Sequence, residues 1–526
     1  MEASPAPSTP EPASGARPLL IPSWVRGLIL VLLFTIPTLN LTNRVADPDV
    51  WWHMRTGQWV IEHGAVPSQD PFSSYGQTRP WVAYSWLFGV LLYGSYAALG
   101  LRGIVLVTAV LAYLVSLLLY RLVARRVRSF WPAVVLTALA LLSLTVLFSP
   151  RPWLFSMLFS LLTLEAVLSV QEGRDGWRVW LLPAAYVLWA NVHIQFIYGL
   201  LLLGLSWAAP LLTVRGGKGT GCPPRPFSAA WYRLVRLFLL CLAATLVNPY
   251  HVRLYGVIRE YATQRVAHHV VLELMAPQFR HAYEWLMLLL LGLAAAAVGA
   301  GRRWDPFAVL LLAGAAVFAF RAYRDLWVAV FAAVAVLCQA WRERRDRLPD
   351  DPFRWGLAGG LTVSAAVAAV SLFLLYSEGA ADEHLLRSYV AARFPTGVPG
   401  VIKARRLRGP LYNDMNYGGY LIWALHEEGL DMPVAVDLRT NLHAERLRRF
   451  ADTGYGQPGW DRDPDLNEAG IVILPADVAL AELLRRDPRF EEVPLAFSPA
   501  RLFVARKDRP APAGAGAPPA VGEPGA

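Results

Sequence analysis

Long apolar runs separated by short polar joints make up most of this chain. Twelve such runs lie near 24–42, 84–100, 103–121, 130–149, 152–171, 179–192, 195–214, 231–247, 283–299, 305–320, 326–341 and 355–376. Most approach the roughly 20 residues that an α-helix needs to cross a hydrocarbon core. Charge counting then sets the topology. If all twelve crossed with the N-terminus inside, the cluster Arg121, Arg125, Arg126 and Arg128 would lie outside, against the preference of basic loops for the cytoplasm. Reading 84–100 as an interfacial or re-entrant segment reverses the parity downstream. The basic loops Arg121–Arg128, Arg174–Arg178, Arg215–Arg236, Arg302–Arg303 and Arg342–Arg354 then all become cytoplasmic. That run is broken by Gly89, Gly94 and Gly100 and edged by Trp81, Tyr84, Trp86 and Tyr93, aromatic residues that favour headgroup depth. About eleven spanning helices are expected.

After Ser377 the pattern changes. Short apolar runs at 409–414, 433–437, 470–476 and 500–506 alternate with helical patterns near 417–428, 441–451 and 477–486, the alternation of a small α/β domain. The expected fold is an all-α polytopic membrane domain over 23–376, with interfacial helices and a first external loop at 43–84, followed by a soluble periplasmic α/β domain over 377–507. Residues 1–22, rich in Pro, Ala and Ser, and the Pro/Gly/Ala tail 508–526 are expected to be disordered, the former in the cytoplasm. No small-residue cleavage site follows the first apolar run, which reads as a retained helix.

Composition agrees: 526 residues are 55% hydrophobic and 17% charged, with a mean hydropathy of +0.38. The formal charge of +10 raises the question of nucleic acid, but the basic residues gather between apolar runs, where they set orientation, and nucleic acid is excluded as a partner. The three cysteines Cys222, Cys241 and Cys338 have no spacing that reads as a disulfide framework or zinc site.

With this parity one boundary, the outer one, collects Asp47, Asp49, His53, Arg151, Asn191, His193, Asn248, Tyr250, His251, His268, His269, Arg321, Arg324 and Asp325. Titratable groups concentrated there suit an enzyme acting on a lipid headgroup, or each simply satisfies a helix end. The densest stretch is ADPDVWWHMRTG at 46–57. Asp47-Pro48 reads as a helix start with the aspartate as N-cap. Asp49 falls in the first turn, and His53 follows one turn later on the same face, a spacing that could share a metal ion or tune the carboxylate. Val50, Met54, Gly57 and Ile61 form an apolar stripe, so this helix is expected to lie flat in the interface as the floor of a site. The stretch HGAVPSQDPFSSYGQTRPW after it reads as an irregular loop. Farther on, Asp414 and Asp437 sit at the ends of expected strands, where α/β sheets place ligands, or where a cap or turn needs an acid. Tyr417-Gly418-Gly419-Tyr420 lacks the spacing and lysine of a phosphate loop.

The acidic order Asp47-Pro48-Asp49, with DPFSSYGQTRPWVAYSWLF (70–88), SPRPWLF (149–155), WANVH (189–193), NPYHVRLYG (248–256) and NDMNYGGYLIW (413–423), resembles the GT-C superfamily of membrane glycosyltransferases, in particular an uncharacterised bacterial branch. The first loop is similar to that of the protein O-mannosyltransferases, and Asp49 matches the position of their functional aspartate. Val50 stands where that branch has a second acid. The resemblance implies a glycosyltransferase at the outer face of a bacterial inner membrane, moving a sugar from a polyprenyl-phosphate donor to a glycan, lipid or protein acceptor.

Such a transfer needs a base for the acceptor hydroxyl and positive charge at the leaving phosphate. Asp49 is the candidate base or metal or acceptor ligand, with Asp47 and His53 beside it. Arg151, Arg321 and Arg324 are candidates for the phosphate, and Asn191, His193, Asn248 and Tyr250 complete a substrate-binding set. Arg151 can also be read as snorkelling from a helix start. A divalent ion is left open: His193, His268 and His269 are residues of ligand type that equally serve as hydrogen-bonding helix ends. Two other classes compete, a lipid-linked sugar transporter or flippase and a non-catalytic envelope assembly protein. One-sided polar groups and the lack of internal repeats weigh against the transporter.

Overall fold

The computed structural model describes residues 21–39, 41–212, 225–264, 266–301, 305–343, 356–496 and 498–506. Cys222, Arg215, Arg302, Arg303 and nearly all of both expected disordered ends lie outside these residues. The first fifteen helices are α1 (Ser23–Thr35), α2 (Pro48–His63), α3 (Trp86–Leu99), α4 (Leu101–Val127), α5 (Phe130–Leu144), α6 (Trp153–Gln171), α7 (Leu182–Val192), α8 (Phe196–Ala208), α9 (Ala229–Ala244), α10 (Arg253–Thr263), α11 (Ala267–Val270), α12 (Ala282–Gly299), α13 (Pro306–Arg321), α14 (Leu326–Glu343) and α15 (Leu357–Ser377). Each of the twelve apolar runs is a helix. Among the described residues, six segments are long and apolar enough to cross a membrane: α4, α5 with its last turn, α6, α12, α14 with its first turn, and α15. The chain is a multi-pass membrane protein.

The run at 84–100 forms α3, whose 14 residues give about 21 Å of helix, well short of a hydrocarbon core of about 30 Å. It packs directly on α2 because both surfaces carry glycine at the crossing: a Cβ on Gly57 would lie 2.1 Å from the Gly89 carbonyl oxygen. The expected loop 121–128 is the end of α4, and its arginines form ion pairs. Buried Arg126 binds Glu165 at 2.6 Å and Glu172 at 3.1 Å, and Arg342 reaches the same Glu172 at 3.1 Å.

The remaining elements are α16 (Glu383–Arg393), α17 (Val398–Arg405), α18 (Met415–Glu427), α19 (Thr440–Gly454), α20 (Pro464–Glu468) and α21 (Ala479–Arg486), with strands β1 (Leu411–Asn413), β2 (Ile471–Pro475), β3 (Phe490–Val493) and β4 (Ala500–Ala505). The strands form one sheet in the order β1-β2-β4-β3. β1 runs parallel to β2, with Tyr412 opposite Val472; β4 pairs antiparallel with β2 and with β3. Three of the four expected strands are present. The fourth, 433–437, pairs instead with the first loop: Val434 bridges Ser73, donating to the Phe72 carbonyl and accepting from Ser74 N. β3 was not expected; only its two end residues are buried.

The first-loop helix departs from expectation. α2 does not lie open as a floor. Val50, Trp51, Trp52, His53 and Met54 are all buried, and only Ile61 of the apolar stripe is exposed. α3 covers one side and α18 the other, with Gly419 so close that a Cβ there would sit 2.5 Å from the Pro48 carbonyl oxygen. Gly418 meets the Val436 carbonyl in the same way. The glycine pair of the YGGY motif therefore serves helix packing.

Candidate functional site

Asp47 caps α2, its carboxylate accepting from Asp49 N at 2.9 Å. That cap aims Asp49 in the first turn at Arg151, which precedes α6 in the SPRPW turn. Arg151 gathers three carboxylates: Asp47 at 2.8 Å, Asp49 in direct contact, and Glu273 at 3.3 Å. The far oxygen of Glu273 faces Arg324 at 3.9 Å. A chain Asp49–Arg151–Glu273–Arg324, buried at its first two members and partly exposed at the others, thus joins the first loop to the turn before α14. Three acids share two arginines, so one negative charge is in excess. Burial is the main reason that the Asp49 carboxyl is pushed up to about 7; Arg151 opposes the rise, and Glu273 and Asp47 add to it. Its Oδ1 is buried and accepts no hydrogen bond among the described residues. The Trp52 indole N–H lies toward the carboxylate and, like Arg151, opposes the rise; a buried carboxylate with a raised pKa is suited to taking a proton.

Glu273 escaped sequence reading. It is a single acid in VVLELM, carried on the 266–275 segment that includes α11. Ala267, Val271 and Leu274 of that segment are buried in the same apolar cluster as Phe450 and Leu447 of α19. The C-terminal elements therefore hold Glu273 in place.

The two histidines nearest the charges are apolar in setting. His53 stacks on Trp52 at 3.6 Å and meets the edge of Phe88 at 5.0 Å, and its Nδ1 has no partner. It makes no contact with Asp49 of the kind the i, i+4 spacing allows. Burial first, then Arg151 and His193, hold its pKa well below the usual range, so it is neutral. His193, at the end of α7, bonds Ser156 through Nδ1 at 2.7 Å, and Ser156 also accepts from Trp189 at 2.9 Å. Burial, with Arg324 and Arg151, likewise keeps His193 neutral. Among the described residues no group of three or more His, Cys, Asp or Glu is placed to hold a metal ion.

Three expected substrate-binding residues make hydrogen bonds within the protein. Asn191 accepts from Trp86 Nε1 at 3.0 Å and donates to the carbonyls of Val187 and Val247, tying α7 to α3 and to the end of α9. Asn248 closes its own turn, donating to Thr245 O and accepting from Tyr250 N. The Tyr250 hydroxyl donates to Pro67 O at 2.8 Å and accepts from Ala83 N at 3.1 Å, fixing both ends of the irregular loop.

Arg321 and Arg324 line a cavity of about 250 Å³ with Tyr261, Gln195, Tyr198 and Asp325 on its polar side and Ile194, Ile197, Leu201, Ile258 and Phe318 on its apolar side. Arg321 is exposed and donates to Ala262 O at 2.9 Å. Asp325 is held by Gln195 and Tyr198 at 2.9 and 2.8 Å. Tyr198, Leu201 and Phe318 also border a second, almost wholly apolar cavity of about 100 Å³ between α8, α13 and α14. The two cavities share these three lining residues, one with Arg321, Arg324 and Asp325 in its wall and the other almost wholly apolar.

No protein-family profile matches this chain, and no curated protein matches it. Among solved structures it is similar to ArnT from Cupriavidus metallidurans bound to undecaprenyl phosphate, at 15% identity and a TM-score of 0.46, over 92% of this chain and 98% of that one. The apo form of the same protein gives 14% identity and a TM-score of 0.45 over 91% and 97%. This is a likeness of overall fold.

A second buried charge centre, also missed as a unit, fastens the loop. Arg439 binds both oxygens of Asp70, at 2.6 and 3.1 Å, and both oxygens of Asp437, while Trp81 lies 4.6 Å from its guanidinium. His443 meets Asp437 at 3.2 Å. Asp437 is thus a structural anchor held well below the usual carboxylate range: Arg439 and His443 outweigh its burial. Asp414 caps α18 by accepting from Asn416 N.

Proposed function

We propose that this chain is a membrane glycosyltransferase that moves a sugar from a polyprenyl-phosphate donor to an acceptor outside the cytoplasm. In this reading eleven helices span the bilayer, α3 lies in the interface, and residues 377–507 cover the site from the outer side. One observation carries it. Asp49, buried and with its pKa raised to about 7, is linked through Arg151 and Glu273 to Arg324, which lines a cavity with polar and apolar walls beside a second, almost wholly apolar one. A lipid phosphate is the ligand whose two halves fit these cavities: guanidinium groups match phosphate oxygens, and a prenyl tail suits the seam between α8, α13 and α14. The sequence resemblance supports the same chemistry.

The roles differ within the arginine set. Arg151 has all its charge engaged by three carboxylates and positions Asp49. Arg321 and Arg324 face the cavity and bind the donor phosphate, stabilising it as it leaves. Asp49 accepts the acceptor hydroxyl proton. Asp47 sets the start of α2, and His53 and His193 stay neutral beside the charges. Acceptor identity, as glycan, lipid or protein, follows from experiment: purified protein in lipid is offered a panel of radiolabelled polyprenyl-phosphate sugars. Label released from the lipid, or moved to an acceptor, supports the transferase. Lipid-sugar crossing the bilayer with its bond intact supports a flippase instead.

A further inference from the structure

Arg439 and Arg324 both stand beside acids, and they are satisfied very differently. The Arg439 side chain is 1% exposed and gives four hydrogen bonds of 2.6–3.1 Å to Asp70 and Asp437, a closed ion cluster with no donor left for a ligand. The Arg324 side chain is 20% exposed, lines the cavity of about 250 Å³ and makes no hydrogen bond among the described residues. The carboxylate paired with it, Glu273, stands at 3.9 Å, beyond hydrogen-bond reach. In the same wall Arg321 donates to Ala262 O, and Asp325 is held by Gln195 and Tyr198. Arg324 is therefore a cation whose charge is balanced and whose donors are idle.

We propose that Glu273 is a built-in competitor of the anion that this cavity takes: its carboxylate balances Arg324 while the site is empty and turns away when a phosphate group arrives. This rests on the reading of the cavity as a phosphate site. A phosphate, as mono- or diester, carries its charge on at least two free oxygens, enough to take hydrogen bonds from Arg324 and Arg321 that Glu273 does not take at 3.9 Å. The competitor is placed to yield. Its side chain is 22% exposed and stands on the single turn Leu272–Leu274, whose backbone is pinned where His268 Nδ1 bonds Leu274 O at 2.7 Å and Tyr323 N donates to Met275 O at 2.8 Å. Rotation of the side chain toward water frees Arg324 without moving the segment. While Glu273 stays, its charge repels an anion bound at Arg324, so it sets how tightly the cavity holds a phosphate and how readily it lets one go.

The test uses the full chain in nanodiscs and isothermal titration with geranylgeranyl phosphate and with inorganic phosphate, geranylgeraniol serving as the uncharged control. Glu273→Gln, which keeps the shape and removes the charge, is expected to tighten phosphate binding about 10-fold and to leave geranylgeraniol binding unchanged. Glu273→Ala is expected to act in the same direction, because the buried Ala267, Val271 and Leu274 still hold the segment. Arg324→Gln is expected to weaken phosphate binding at least about 10-fold in either background. A carboxylate serving only as a structural bridge gives the opposite sign, since its loss would loosen the site and weaken binding. Tighter binding of geranylgeranyl phosphate than of inorganic phosphate marks a lipid as the source of the anion, and equal affinity marks a water-borne phosphate. Absence of phosphate binding in the parent and both Glu273 variants would remove the phosphate reading of the cavity and this inference with it. Phosphate binding by the parent that Glu273→Gln leaves unchanged or weakens, or an equal gain for geranylgeraniol, would overturn this inference alone.

Discussion

Replacing Arg151 by Gln removes the cation that three carboxylates share. The guanidinium lies 2.8 Å from Asp47 and 3.3 Å from Glu273 and touches Asp49. At group centres about 4 Å apart and an effective permittivity near 20, each pair is worth about 4 kcal/mol before desolvation is subtracted. Loss of one partner from a buried ion cluster costs about 3–5 kcal/mol net, because the charges left behind are unpaired. Proton uptake limits the damage. Asp49 already titrates near 7 because it is buried, and without Arg151 it binds its proton more tightly still. A group whose folded pKa lies above its unfolded value contributes stability at low pH that is lost as pH rises through the folded pKa. The variant should therefore melt well below the parent at pH 8 and recover much of the difference at pH 5. The double variant Arg151→Gln, Asp49→Asn should regain about 0.5–3 kcal/mol relative to additivity. Thermal unfolding in nanodiscs at both pH values reads this directly. A melting temperature equal to the parent's, or a deficit of the same size at pH 5 and pH 8, would refute the reasoning.

Three further outcomes follow from the geometry. Gly57→Val should push α2 off α3, since even a Cβ meets the Gly89 carbonyl at 2.1 Å; a loss of about 1–3 kcal/mol by thermal unfolding, with activity falling alongside, is expected, and an unchanged melting point would contradict the close packing. Asp70→Asn should loosen Arg439 from the first loop, where it now binds both carboxylate oxygens; limited proteolysis is expected to cut residues 64–84 faster, and unchanged cleavage would show that the loop is held otherwise. The transfer rate should rise with pH along a one-proton curve with a midpoint near 7, set by the buried Asp49. A flat profile from pH 5 to 9 would remove Asp49 as the base.

Much of the membrane part was legible because apolar periodicity is a local property: all twelve apolar runs form helices. Asp47 was readable as a cap for the same reason. What escaped was long-range. Glu273 looks ordinary until the C-terminal elements fold its segment against Arg151, and Asp70 finds Arg439 369 residues away. The 433–437 run has strand composition, but its partner is the first loop and not the sheet. Asn191, Asn248 and Tyr250 were grouped with the site by depth and by the motifs WANVH and NPYHVRLYG; their hydrogen bonds to backbone and to Trp86 are long-range contacts that no one-dimensional pattern reveals.

The most direct measurement is a single-turnover comparison of the parent with Asp49→Asn, using the polyprenyl-phosphate sugar identified by the panel and measuring donor binding in parallel. The substitution keeps the shape and leaves Arg151 with Asp47 and Glu273. The account predicts near-normal donor affinity and a sugar-transfer rate at least about 100-fold lower, the lower range of a lost general base. Transfer at the parental rate with intact binding would contradict it and place the catalytic carboxylate elsewhere.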